Sequence, residues 1–192
     1  MKRAFDLTLA VPGFLIALPV ILIAGLLIRL ETPGPALFRQ VRVGRGGTRF
    51  TVYKLRSMTA GTVQAPTHEV GTATITRLGA LMRRAKLDEL PQLYNVMRGD
   101  MSLVGPRPCL PSQDDLIAAR AARGVDAARP GITGLAQVNG IDMSAPVTLA
   151  DVDARYVRNQ SLGLDIALLA ATFGLRHPAV RLEQPDAAPS DG

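Results

Sequence analysis

An α+β fold, mostly helical, with an N-terminal apolar helix entering a membrane and a small β-hairpin, is what this 192-residue sequence predicts. Three observations carry that reading. The chain is almost wholly apolar from Leu7 to Ile28. Two short β-type runs flank a glycine-rich turn soon after it. Most of the chain beyond Thr76 repeats its apolar residues at helical spacing. The length suits one domain with its own core. The expected division is a membrane helix over 1–30, a cytoplasmic domain over 31–177, and a tail over 178–192 too rich in Pro, Ala and Asp to pack.

The apolar run is about 22 residues long, enough to cross a bilayer as a helix. Its length and the acidic Asp6 at its start do not suit a cleaved signal peptide. Lys2 and Arg3 precede it, and Arg29, Arg39, Arg42, Arg45 and Arg49 follow it. A spanning helix would place one basic flank outside, against the positive-inside bias. Pro19 lies near the middle, where it removes a backbone hydrogen bond and crowds the preceding turn. A break there would return both flanks to one anionic leaflet as a re-entrant helix. A proline that only bends a spanning helix is the competing reading.

Pro33-Gly34-Pro35 ends this element. Ala36–Val43 and Thr48–Leu55 are the β-type runs, with Gly44-Arg45-Gly46-Gly47 as the hairpin turn. Residues Thr59 to Thr76 lack periodicity and are expected to form a loop. Leu78, Leu81, Met82 and Ala85, then Leu90, Leu93, Val96 and Met97, mark two helices joined near Lys86 to Asp88, the second stopped by Gly99. Met101–Pro111 is expected to be a proline-rich loop and Pro130-Gly131 to open another turn. Further helices are expected over Pro111–Arg123, Val147–Val157 and Ser161–Leu175. The last fits either an amphipathic helix at the membrane surface or an ordinary core helix.

The net charge of +6 calls for an anionic partner: nucleic acid, lipid surface or phosphorylated substrate. Aromatics are 4% and Trp is absent, which argues against single-strand nucleic-acid binding, and no nucleic acid is expected as a partner. Cys109 is the only cysteine, so no internal disulfide is available, and it is read as a packed thiol. No residue set has zinc-ligand spacing. His68 and His177 lie far apart and suggest no triad.

Chemistry concentrates in Lys86-Leu87-Asp88-Glu89-Leu90-Pro91-Gln92. Two carboxylates in an expected first helical turn meet free backbone N–H groups, which favour anions. An ionised Asp can attack phosphorus, and an adjacent Glu can hold a hard cation such as Mg²⁺. The same pair would also serve simply to stabilise a helix dipole. Lys54, Arg56, Arg83, Arg84, Lys86, Arg98, Arg107 and Arg129 supply cations suited to phosphate oxygens. In Gly105-Pro106-Arg107-Pro108 two prolines fix the backbone around one Arg, pre-orienting it to grip a diphosphate.

Taken in order, six motifs resemble the bacterial sugar transferase family. They are Lys2-Arg3-Ala4-Phe5-Asp6, Pro33-Gly34-Pro35, Tyr53-Lys54-Leu55-Arg56-Ser57-Met58, Leu87-Asp88-Glu89-Leu90-Pro91-Gln92, the run Gly99 to Pro108, and Arg129-Pro130-Gly131-Ile132-Thr133-Gly134. The family comprises small monotopic phosphoglycosyl transferases that initiate bacterial glycan assembly. The resemblance implies a re-entrant helix on the cytoplasmic face of the inner membrane and a catalytic domain over 31–177. It implies a Mg²⁺-dependent, two-step transfer of a sugar-1-phosphate from a UDP-sugar to polyprenyl (undecaprenyl) phosphate, releasing UMP. Asp88 would be the nucleophile, and Glu89 the neighbouring catalytic and metal-holding group. Lys54, Arg56, Arg83, Arg107, Arg129 and Gln137 would bind substrate. Membrane lipids are implied partners, and a homodimer is among the expectations. The chain departs from the family at Lys86, where Ser or Thr is common, and at Leu135 and Ile141, where Trp and Arg are common. Leu18 precedes Pro19 where some members carry Ser. The alternative function is a non-enzymatic membrane-anchored module binding anionic lipid or nucleotide, which would need no Asp88-Glu89 pair.

Overall fold

The computed structural model describes residues 1–59, 75–175 and 180. The expected loop over Thr59 to Thr76 mostly falls outside them, as do His68, His177 and the tail from Pro178 except Val180. The fold is α+β, with helix dominant.

Helix α1 runs unbroken from Lys2 to Glu31, through both Pro12 and Pro19. The expected break at Pro19 is not present in the hydrogen-bonded helix. A proline forfeits one N–H bond and leaves the carbonyl four residues earlier without that donor, but in an otherwise apolar segment continued helix still satisfies the other backbone groups. At 1.5 Å per residue α1 is about 45 Å long. Its buried residues, Asp6, Ala10, Ala17, Ala24 and Ile28, fall every four or seven positions and so form one stripe. Leu15, Ile16, Leu22, Ile23 and Leu26 are exposed on other faces.

The two ends of α1 hold the same body. At its start, Arg3 donates to the carbonyls of Val96 and Met97, and Asp6 accepts from Ser102 Oγ at 3.0 Å and Leu103 N at 3.2 Å. At its close, Ile28 packs with Leu55 and Met82, and the Glu31 carboxylate accepts from Leu78 N.

Strands β1 (Leu37–Val43) and β2 (Arg49–Leu55) form the expected antiparallel hairpin, closed by a 3-10 turn over Arg45–Gly47. Asn95, fully buried, ties it to the helix that carries residue 95 by accepting from Tyr53 N and donating to Thr51 O. Helix α2 (Arg77–Arg84) is capped by Thr76, whose Oγ1 accepts from Gly79 N at 2.9 Å. A 3-10 turn over Leu87–Glu89 leads to α3 (Gln92–Arg98), which Gly99 ends in the left-handed region at φ 95°.

Met101–Pro111 is not wholly loop. Ser102–Val104 forms β3, which pairs in parallel with β4 (Gly131–Thr133), in a region expected to be only a turn. A Cβ on Gly105 or Gly131 would overlap the other segment's backbone, so glycine at both positions permits the approach. Helix α4 (Asp114–Ala121), the short α5 (Leu135–Val138), α6 (Pro146–Arg158) and α7 (Leu162–Thr172) complete the fold. Tyr156, Leu149, Leu116, Val96, Met101 and Leu168 fill the core between them. Helix α7 buries Asp165, Ala167 and Leu168 while Ile166 stays exposed, so it is a core helix with an apolar outer edge.

Candidate active site

The hairpin, the turn before α3 and the segment after β3 enclose a cleft of about 1290 Å³. Lys54, Arg56, Arg83, Asp88, Glu89, Arg107 and Gln137 all line it. Strand β2 delivers Lys54, α2 delivers Arg83, and the 3-10 turn delivers Asp88 and Glu89. The sequence places that pair in the first turn of a helix. It lies instead one turn ahead of α3, because Pro91 ends the 3-10 segment and caps the next helix.

The two carboxylates differ sharply. Glu89 Oε1 accepts from Lys54 Nζ at 2.9 Å and from Arg107 Nη2 at 3.3 Å. Burial alone would raise its pKa, but Lys54 and then Arg107 outweigh burial and hold it at about 2. Asp88 is 8% exposed and, among the described residues, its carboxylate has no ion pair and no hydrogen bond to another side chain, only one from its own backbone. Burial pushes its pKa up, with Lys54 and Arg83 opposing and the Glu89 charge reinforcing. Burial and the nearby Arg107 lower the Lys54 pKa, against the pull of Glu89.

Arg83 is held in place by donating from Nε to Ser57 Oγ at 2.8 Å. A Cβ on Gly79 would overlap the Ser57 backbone, so α2 can sit directly on this strand end only with glycine there. Gln137 reaches the cleft with both amide atoms buried and, among the described residues, without a hydrogen-bond partner, so it can serve one donor and one acceptor.

Two predicted binding residues have other occupations. The Arg56 guanidinium borders the cleft but donates to Pro33 O at 2.7 Å, Thr32 O at 2.7 Å and Thr32 Oγ1 at 2.9 Å. It fastens the exit of α1 to β2, because the carbonyls beyond a helix end need donors. Arg129 is outside the residues lining the cleft and donates from Nε to Gly99 O at 3.0 Å. Leu135 is buried and Ile141 packs against the core, so neither offers a polar group. Cys109 is buried and its thiol pKa is pushed up by that burial, consistent with a packed, inert side chain.

Sequence reasoning misses Arg42 as a member of this site. It lines the cleft, donates to Gln40 Oε1 from Nε and Nη2, and reaches Pro108 O at 3.1 Å. Burial and the Arg107 charge lower its pKa to about 10. Its place on the same strand face as Gln40 is legible, but nothing local ties it to residue 108.

Among the described residues no three His, Cys, Asp or Glu side chains converge. Mg²⁺ bound through phosphates needs only one or two carboxylates and keeps several waters. The Asp88-Glu89 pair fits that requirement, since Glu89 Oε2 has no protein partner among the described residues.

The family model described as bacterial sugar transferase matches residues 1–176. The chain is 44% identical over 187 residues to the UDP-glucose:undecaprenyl-phosphate glucose-1-phosphate transferase of Caulobacter vibrioides, covering 89% of this chain and 67% of that protein. It is 40% identical over 172 residues to the uncharacterized sugar transferase EpsL of Bacillus subtilis, covering 90% and 85%. It is 39% identical over 182 residues to the UDP-N-acetylgalactosamine-undecaprenyl-phosphate N-acetylgalactosaminephosphotransferase of Aeromonas hydrophila, covering 90% of this chain but only 43% of that protein.

Proposed function

The chain belongs to the bacterial sugar transferase family, and from that premise we propose that it moves a sugar-1-phosphate from a UDP-sugar to polyprenyl (undecaprenyl) phosphate, releasing UMP. The observation that carries this reading is the asymmetry of the two carboxylates: Glu89 is clamped by two cations while Asp88 beside it has no ion pair among the described residues of the cleft.

In this reading an Asp88 carboxylate oxygen bonds to the sugar-linked phosphorus. The bond from that phosphorus to the bridging oxygen breaks, and its electron pair leaves on UMP. A phosphate oxygen of the polyprenyl acceptor then attacks the same phosphorus. The aspartyl bond breaks, Asp88 returns as a carboxylate, and the product is a polyprenyl diphosphate sugar. Lys54, Arg83 and Arg107 neutralise phosphate charge that builds in both steps. Glu89 fixes two of those cations. Glu89, through the oxygen that has no partner among the described residues, would hold Mg²⁺, which when bound supplies further charge neutralisation to the phosphates. Gln137 offers its unpaired amide to the donor substrate.

Membrane placement rests on the same premise. Helix α1 has a window of mean hydropathy 2.7, and one end grips α3 and β3 while the other grips β2 and α2. A helix crossing the bilayer would carry one of those ends away from the domain. Both ends would thus share one face, which this reading takes to be the cytoplasmic face of the inner membrane, with the exposed apolar residues of α1 in one leaflet and the outer edge of α7 at its surface.

The test is a half-reaction. Purified protein is incubated with Mg²⁺ and a panel of UDP-sugars labelled in the sugar, with no lipid. Label on the protein approaching one phosphosugar per chain, with UMP released, is expected for one of them. Asp88→Asn should take up none. Turnover by Asp88→Asn within a few-fold of wild type would remove Asp88 from the nucleophile's role.

A further inference from the structure

The segment that carries Arg107 is fastened at every residue from 102 to 109. Asp6 of α1 accepts from Ser102 Oγ and Leu103 N. Tyr156 of α6 donates to Val104 O at 3.0 Å. Gly105 N donates to Thr133 O at 2.9 Å, and Gly131 N donates to Pro106 O at 2.9 Å. Beyond Arg107, Arg42 reaches Pro108 O at 3.1 Å and Val43 N donates to Cys109 O at 3.0 Å. Backbone groups of β1 and β4 and side chains of α1, α6 and β1 supply these contacts, and none of them serves residue 107 itself.

Arg107 O is served by Arg120 of α4, which donates from Nη1 at 2.9 Å. Arg120 is 7% exposed and Asp153 of α6 is 1% exposed. Two further N–H groups of Arg120, on Nε and Nη2, donate to Asp153 Oδ2 at 2.9 and 2.6 Å. The guanidinium is thus oriented by a buried carboxylate on one edge, and its other side faces the Arg107 carbonyl and the Cys109 thiol of the same segment. Burying such a pair rarely adds stability over a well-packed apolar substitute. What it supplies here is direction: a planar fork held from two sides fixes a carbonyl in a way that a flexible chain cannot. The Arg107 side chain starts from that fixed peptide and ends at Glu89 Oε1, 3.3 Å away.

We propose that Arg120 and Asp153 are positioning residues for the transfer reaction, setting the backbone of Arg107 so that its guanidinium meets Glu89 and the donor's phosphates. The inference rests on the reading above in taking Arg107 as a phosphate-binding group. Neither residue lines the cleft, so they act only through Arg107.

Arg120→Lys separates positioning from folding. A lysine keeps the charge beside Asp153, but one ammonium on a flexible stem lacks the fork that serves Asp153 and the Arg107 carbonyl together. Hydrogen exchange is read first, on the peptide spanning residues 103–113 of the full-length protein. Faster exchange there, with the β1–β2 hairpin unchanged, is the expected result, and it requires no substrate. Donor-dependent UMP release is read second. Arg120→Lys should lower kcat/KM about tenfold in the wild-type background and less than twofold when Arg107 is already Ala, because the lost contact then has nothing left to position. Asp153→Asn, which keeps an acceptor for Arg120, should retain most of the activity that Arg120→Lys loses. Unchanged exchange at 103–113 overturns the proposal whether or not the protein turns over. So does an equal drop in both backgrounds, the mark of a merely structural pair. Absence of UMP release by wild type with every UDP-sugar would count against the proposed function instead.

Discussion

Two clusters of carboxylates and cations lie within the same fold, and they are finished differently. Beneath the start of α1, Asp165 accepts from Lys2 Nζ and Tyr156 Oη at 2.8 Å each, and Asp6 accepts from Ser102 and Leu103. Gln160 donates to the Tyr156 oxygen at 2.9 Å, completing the set. Asp6 and Asp165 are 1% and 0% exposed. In the cleft, Glu89 has two cationic partners and, among the described residues, Asp88 has no ion pair. In sequence the two look alike, a Lys followed within four residues by Asp. A sealed cluster with every group bonded holds elements together. An open one with a carboxylate left over retains a group able to react.

The largest effects come from making the same change in both. Asp165→Asn weakens the Lys2 pair and the Tyr156 bond in a sealed site, and should lower stability by about 2 kcal/mol. Its activity per folded molecule should stay within a few-fold of wild type. Asp88→Asn should abolish UMP release yet raise stability by about 1 kcal/mol. The sign comes from its raised pKa: a carboxyl whose folded pKa lies above the unfolded value loses stability as pH rises through that window. At pH 7 the ionised Asp88 is therefore a cost that Asn removes. Thermal melts in detergent, set beside UMP assays, check both. Equal signs for the two stability changes would break the comparison.

The sequence carries the elements whose signal is local. Apolar spacing marks α1 to α4, α6 and α7, and the glycine cluster marks the β1–β2 turn. The β3–β4 pair is illegible because three-residue parallel strands have too little alternation, and their register joins residue 102 to residue 131. Lys54, Arg83, Asp88, Glu89, Arg107 and Gln137 do share one cleft, as the motifs imply. Arg56 is spent on backbone because the end of α1 presents carbonyls that only the fold brings to it. Arg120 and Asp153, 33 residues apart, carry no local pattern that pairs them.

A smaller effect tests how the open cluster divides its charge. Lys54 is the largest influence holding the Asp88 pKa down and the first cation holding Glu89 at about 2. Lys54→Ala should cut UMP release about a hundredfold and move the acid limb of its kcat/KM profile to higher pH. Glu89, depressed from 4.5, contributes stability that is full above about 4.5 and lost as pH falls toward 2, on the order of 3 kcal/mol. In Lys54→Ala that loss should be smaller and confined nearer the ordinary carboxylate range. Acid titrations of stability and activity read the two limbs separately. An acid limb that stays in place would mean that Lys54 does not govern Asp88.

The smallest effect concerns backbone. Lys86, which opens the 3-10 turn carrying Asp88 and Glu89, has φ 56° and ψ 21°, and among the described residues no other non-glycine has positive φ. A side chain there costs on the order of 1 kcal/mol. None of Lys2, Asp6, Tyr156 and Asp165 in the sealed cluster carries such strain, so the comparison extends from charge to conformation. Lys86→Gly relieves the strain but loosens the unfolded chain, which offsets part of the gain. A net rise of about 0.5 kcal/mol in stability, read from a urea midpoint at pH 7, is expected. Lys86→Asn tolerates the same conformation without glycine's freedom and should gain as much. Both leave the turn's own bonds, Glu89 N to Lys86 O and Leu90 N to Leu87 O, in place. If the strain is only a consequence of joining α2 to α3, both variants keep UMP release within a few-fold of Lys86. If it presses Asp88 into the cleft, both variants, which relieve it alike, should lose activity as they gain stability.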